Sequence, residues 1–314
     1  MSFDSNVRIM PEGHEGRRPR TRRGTFQRGK TVKATRVPPC APDPELRFRR
    51  RLQPLRLLRE LWAARELVLT LAERELRARY KQAVLGFAWA VLTPLALMVA
   101  FSTFLQRTAH FDTRGTPYSL FALLGLIPWA FFSTSVSVGG QSVVSNASLL
   151  NKVYCPREVF PLASVLVAAI DMAVSSVTLL ALFAIAQFAP KGTGVWIPLA
   201  LAVQFAFTVG VTLVVSSTLV YLRDLRHLVP VVLQLGLFCT PVAYGMDVVP
   251  AHLRTAYALL NPLGPVIDTY RRAMLYGESP DWSLMLPGAL SAVVVLGVGY
   301  WLFKLLEGRF ADVA

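Results

Sequence analysis

From residue 83 onward the chain reads as long apolar runs joined by polar connections. A helix needs roughly 20 apolar residues to cross a bilayer. Six runs approach or exceed that length: about Leu85 to Leu105, Leu120 to Gly140, Phe160 to Phe188, Trp196 to Tyr221, Val229 to Gly245 and Leu284 to Leu306. The fifth is short for a span. Pro94 and Pro128 fall inside the first two runs, where each removes a backbone donor, so kinks are expected there. The pattern predicts an all-α integral membrane protein with six transmembrane helices over residues 83–314.

Residues 55–82 keep a helical period with only one apolar side. At about 100° per residue, Leu57, Leu58, Leu61, Trp62, Val68, Leu69, Ala72, Leu76 and Tyr80 share a sector, while Arg56, Arg59, Glu60, Glu66, Glu73, Arg74, Arg77 and Lys81 fall mostly opposite. Trp and Leu facing many Arg describe an amphipathic helix lying in the membrane interface. The plainer alternative is a solvated helix on a soluble domain, but no soluble domain follows for it to cover.

Composition agrees with a membrane protein. The chain of 314 residues is 54% hydrophobic and its mean hydropathy is +0.45 although its first fifty residues are strongly polar. The formal net charge is +14, and residues 1–54 hold 14 Lys and Arg against 5 Asp and Glu, so +9 of it sits in one Arg/Pro-rich tail. Such a segment buries too little to offset its ordering entropy, so it is expected to be disordered and cytoplasmic. It lacks the apolar stretch of a secretory signal. Within it, Gly24 to Thr31 reads GTFQRGKT, a formal match to a phosphate-binding loop. Such a loop requires a strand before it and a packed helix after it. Here RRPRTRR precedes, and Pro38 and Pro39 follow closely, so a chance match is the better reading. Cys40, Cys155 and Cys239 are far apart, and His14, His110, His227 and His252 are scattered, so neither disulfides nor a metal site is expected. No nucleic-acid partner is expected either.

Six spans put both termini on one side. Arg47, Arg49, Arg50, Arg51, Arg77, Arg79 and Lys81 flank the first crossing and place the N terminus in the cytoplasm, whereas the later loops carry balanced basic charge. Two connections stand out. Residues 145–160, SNASLLNKVYCPREVF, form a polar stretch broken at Pro156 on the cytoplasmic side. Residues 250–277 contain AHLRTAYALLN and GPVIDTYRRAMLYG, separated by Pro262 and Pro265. These are too short and polar to span, and fit re-entrant half-helices at the outer face between spans five and six.

The motifs in order are RxRYKQxxLGxxW with a following Pro (Arg77, Arg79, Tyr80, Lys81, Gln82, Leu85, Gly86, Trp89, Pro94), then Asn151, Lys152, Pro156, Arg157 and Pro161. Arg223–Asp224, Thr240–Pro241, Asn261–Pro262 and Arg271 complete the series. Over about residues 55–314 this resembles the membrane subunit of type 2 ABC exporters, in the branch that exports polysaccharides, O-antigen and teichoic acids. The first 54 residues depart from that pattern. The resemblance implies a homodimeric conduit in the bacterial inner membrane, working with two copies of a separate ATPase that binds ATP and Mg. This chain would then be no enzyme and hold no cofactor. The implied cargo is a polyprenyl-diphosphate-linked polysaccharide moved outward from the cytoplasm.

Candidate residues follow. Arg77, Arg79 and Lys81 sit where the interfacial helix meets the first span, placed to hold a diphosphate or simply to contact anionic lipid heads. Phe87, Trp89, Phe101, Phe104, Phe131, Phe132, Phe238 and Tyr244 could line a sugar path by stacking, or pack between helices. Asn151, Lys152, Arg157 and Glu158, with Arg223, Asp224 and Arg226, are candidates for ATPase docking, since the first loop is long and polar for a bare connector. Asn261, Pro262, Tyr270 and Arg271 are candidates for an outer gate. Asp171, in the middle of span three, is an ionisable group within the membrane. It is the one feature favouring an ATP-independent secondary transporter or lipid flippase, a reading that also calls for paired carboxylates or inverted repeats. An embedded transferase would need a clustered acid, base or metal site, and the carboxylates here are dispersed.

Overall fold

The computed structural model describes residues 64–81, 88–109, 115–150, 156–307 and 310, all within one compact unit, Leu52–Ala314. Among the described residues there is no strand. The helices are α1 (Arg65–Tyr80), α2 (Ala88–Ala109), α3 (Tyr118–Ser145), α4 (Ala147–Leu150), α5 (Val159–Ile185), α6 (Ile197–Leu219), α7 (Leu225–Cys239), α8 (Arg254–Leu260), α9 (Leu263–Arg271) and α10 (Trp282–Leu306). A π-helical turn, Arg272–Tyr276, extends α9.

Four segments are long and apolar enough to cross a membrane: α3, α5, α10, and α6 together with the short turn before it. The apolar part of α2 covers Ala88–Phe104, and α7 runs only from Leu225 to Cys239, so both are shorter than a full crossing. Six apolar helices thus occupy the six expected places, and four of them have spanning length. Helices α2 and α3 run through Pro94 and Pro128.

Helix α3 is the hub, buried along most of its length and packed against α5, α6, α2 and α9. Its Leu120, Leu123, Leu126 and Phe132 join Phe207, Ile267 and Met285 in the main apolar cluster. Helices α6 and α10 meet through glycine: a Cβ on Gly299 would lie 2.4 Å from the Gly210 carbonyl oxygen, and one on Gly210 would lie 2.7 Å from the Leu296 nitrogen. Small residues at such crossings let backbones approach closely. Helix α7 is the least embedded, with no buried residue of its own and Leu228, Val231, Val232, Leu235 and Phe238 outward.

Helix α1 lies on α5, with Val68, Leu71, Ala72 and Leu76 set against Ala163, Leu166 and Val167. The apolar sector is therefore real, but Leu69 is exposed and Glu75 and Arg79 turn inward instead. Residues 55–63 of the expected interfacial helix and the whole 1–54 tail lie outside the described residues.

Candidate transport site at the first helical joint

The site begins with two polar residues on the inward side of α1. Arg79 donates from Nη1 to Asp171 Oδ2 at 2.8 Å and from Nη2 to Glu75 Oε1 at 3.2 Å. The Tyr80 hydroxyl donates to Asp171 Oδ1, and the Ser164 hydroxyl donates to Glu75 Oε2 at 2.9 Å. Burial, and after it the bond to Asp171, pushes the Tyr80 phenol up to about 12, so it is the donor at neutral pH. One helical turn further along α5, Ser175 donates to the Ala90 carbonyl at 2.9 Å and ties the start of α2 to the same helix.

This network corrects two expectations. Asp171 is not a lone carboxylate: it is held by a guanidinium and a phenol, as intramembrane acids usually are. Arg79 is not a free anion receptor, because its guanidinium is ion-paired with both Asp171 and Glu75. Arg77 and Lys81 point the other way and are exposed, Arg77 paired to Glu73 one turn back. Beside the network opens a recess of about 350 Å³ lined by Arg79, Tyr80, Asp171, Trp89, Thr93, Thr134 and Phe131 among others. Its wall thus combines an indole, hydroxyls and an ion pair, groups that suit a polyhydroxylated ligand.

The aromatic candidates divide. Trp89, Phe104 and Phe238 are 56%, 73% and 62% exposed. Phe101, Phe131 and Phe132 are buried, with Phe131 against Phe205 and Phe132 against Phe207, so they pack in the core, Phe131 also reaching the recess wall. Phe87 lies outside the described residues. Tyr244 is partly buried, and its hydroxyl donates to the carbonyls of Phe238 and Cys239, both at 3.0 Å.

Tyr244 belongs to a second polar arrangement, where α7 ends at Thr240–Pro241. Proline forbids a helical bond there, and side chains take the freed carbonyls. Tyr257 donates to Cys239 O at 2.8 Å, Tyr118 to Ala243 O at 2.9 Å, and Asn261 to Thr240 Oγ1 at 2.8 Å. Arg271 takes the remainder, donating to Pro241 O and Tyr244 O at 2.8 Å, Val242 O at 2.5 Å and Phe121 O at 3.2 Å. Its guanidinium also lies over the Phe121 ring, 3.6 Å from the centroid. Gly125 makes room, since a Cβ there would sit 2.8 Å from Arg271 Nη2. The Tyr270 hydroxyl donates to Gln204 Oε1 at 2.7 Å, and Gln204 Nε2 donates to Pro128 O at 3.0 Å. Tyr270, Arg271 and Pro262 are buried, so they pin the broken segment from inside.

At the opposite end of the bundle, Arg223, Asp224 and Arg226 are exposed around the start of α7. Glu158 departs from expectation. Its side chain is 1% exposed and ion-paired to Lys304 at 2.7 Å, so it is not presented to a partner. Arg157 donates to the Glu307 carbonyl. Asn151 and Lys152 lie outside the described residues. Sequence reasoning passed over Lys304, Glu75, Gln204 and Tyr118 as site residues. A basic or amide residue inside an apolar run is the signal that finds the first and third.

Comparison with known proteins agrees with this architecture. The ABC-2 type transporter family matches residues 66–275. The O-antigen export system permease protein RfbA of Myxococcus xanthus is 31% identical over 260 residues, which cover 82% of this chain and 99% of the relative. RfbA of Klebsiella pneumoniae is 26% identical over 249 residues, 79% of this chain and 95% of the relative. The polysialic acid transport protein KpsM of Escherichia coli is 22% identical over 242 residues, 74% of this chain and 91% of the relative. With its multi-pass helical body, the chain belongs to the ABC-2 type transporter family.

Proposed function

We propose that this chain is the membrane-spanning subunit of an ATP-driven exporter of a lipid-linked polysaccharide. Two copies form the conduit in the inner membrane, a separate ATPase supplies the energy with ATP and Mg, and the cargo moves outward from the cytoplasm. The near full-length likeness to permeases named for O-antigen export supports the cargo class. The observation that carries the reading is the recess at the α1–α2 joint, where Trp89, Tyr80 and the Arg79–Asp171 pair line one wall. Arg77 and Lys81 are exposed on the other side of α1.

The roles separate by geometry. Arg77 and Lys81 attract the anionic diphosphate at the membrane surface. Trp89 offers a face on which sugar rings stack, and the Arg79–Asp171–Tyr80 group keeps the joint in shape. Arg157, Arg223, Asp224 and Arg226 meet the ATPase, joined on sequence grounds by Asn151 and Lys152. The two half-helices α8 and α9 dip from the outer face.

The test is export of surface glycan in a strain carrying Arg77→Glu/Lys81→Glu, with the membrane level of the protein and the copurifying ATPase measured alongside. Export is expected to fall while protein and ATPase stay at parental levels. Undiminished export overturns the diphosphate role, and absence of any copurifying ATPase from the parental protein overturns the exporter reading.

A further inference from the structure

The end of α10 is held by an unusual density of contacts. Lys304, 2% exposed, lies 2.7 Å from Glu158 and 2.8 Å from Glu307. A lysine near a membrane surface ordinarily extends its ammonium to water, and this one is enclosed between two carboxylates. Arg157 donates to the Glu307 carbonyl, and its guanidinium lies over the Phe310 ring, 5.7 Å from the centroid. From the other side the Tyr221 hydroxyl donates to the Leu306 carbonyl at 2.9 Å. Phe310 is fully buried, set edge-on to Phe303 at 5.5 Å and beside Tyr221.

These contacts join two segments that are distant in sequence. Arg157 and Glu158 immediately precede α5, and Tyr221 lies in the 220–224 connection before α7. The end of α10 touches both.

We infer that Lys304, Glu307 and Phe310 form a strut that locks Arg157 and Glu158, at the start of α5, to Tyr221, before α7, so that displacement of either site by the ATPase moves α5 and α7 together. The inference rests on the exporter reading above and adds positioning residues that act through Arg157, Glu158 and Tyr221 and touch neither cargo nor nucleotide. A buried ion pair adds little net stability compared with apolar residues of similar volume, but it fixes geometry strongly because each charge tolerates only its partner.

The test compares ATP hydrolysis by the full chain with its ATPase in liposomes against surface glycan exported by cells carrying the same variant. Phe310→Ala removes the ring that Arg157 and Tyr221 share. Tyr221→Phe removes one hydroxyl and keeps the fold. Both are expected to retain protein level, bound ATPase and hydrolysis, while glycan exported per ATP falls several-fold. If Phe310→Ala lowers the protein level, Tyr221→Phe alone carries the same expectation. An unchanged ratio of export to hydrolysis in variants made at parental level overturns the strut, because a packing role leaves that ratio alone. Failure of the parental chain to retain an ATPase overturns the exporter reading and the strut together.

Discussion

A guanidinium enclosed in apolar surroundings is costly unless its donors are engaged, and Arg271 engages four backbone carbonyls while 1% exposed. Lysine has one nitrogen and no fork, so it cannot serve four acceptors spread over this arc. Arg271→Met is expected to leave carbonyls unpaired at about 1 kcal/mol or more each, lowering membrane yield and melting temperature in detergent, with Arg271→Lys in between. Equal melting of all three proteins would show that water replaces the guanidinium. The sequence showed Arg271 as a basic residue in a polar connection. Its burial depends on Gly125 and on the break at Pro241, separated from it by 146 and 30 positions, distances no local pattern spans.

At the scale of elements, most of the helices were legible. Apolar runs of spanning length became α3, α5, α6 and α10 with ends shifted by a few residues, because burial and lipid exposure both select apolar side chains throughout. Helix α7 ended early, at Cys239, because Thr240 takes an extended conformation, which an apolar run cannot signal. The inward turn of Glu75 and Arg79 was also hidden, since it depends on Ser164 and Asp171 of α5 to receive them. The α6–α10 crossing offers a clean measurement. Gly210→Ala places a methyl 2.7 Å from the Leu296 nitrogen, and overpacking of this kind costs about 1–3 kcal/mol. Gly297, on α10 near the same crossing, has nothing within 4 Å of a Cβ. Thermal melting in detergent is therefore expected to drop by several degrees for Gly210→Ala and to stay unchanged for Gly297→Ala.

Among the described residues, the ion pairs and charged side chains that hold helices together gather in three places: the α1–α5 joint, the break after α7 and the foot of α10. The last two lie where helices stop, and the spans between the three carry uncharged polar groups such as Gln204, Thr208, Thr212 and Ser216. Motion is cheapest at such places, where side chains and not continuous backbone ladders hold the geometry. The GTFQRGKT motif, outside the described residues, is not part of this scheme. Lys30→Ala is expected to leave ATP hydrolysis of the assembled complex unchanged, and a loss of hydrolysis would make the tail a participant.

The Glu158–Lys304 pair also bears on how the protein is made. The two residues are separated by 146 positions, so at about 5–20 residues per second a ribosome delivers the carboxylate roughly 7 to 30 seconds before its partner. Throughout that interval the carboxylate has no lysine to pair with and keeps its water. The buried contact between them is therefore among the last to form, and the foot of α10 closes only once nearly the whole chain has been made.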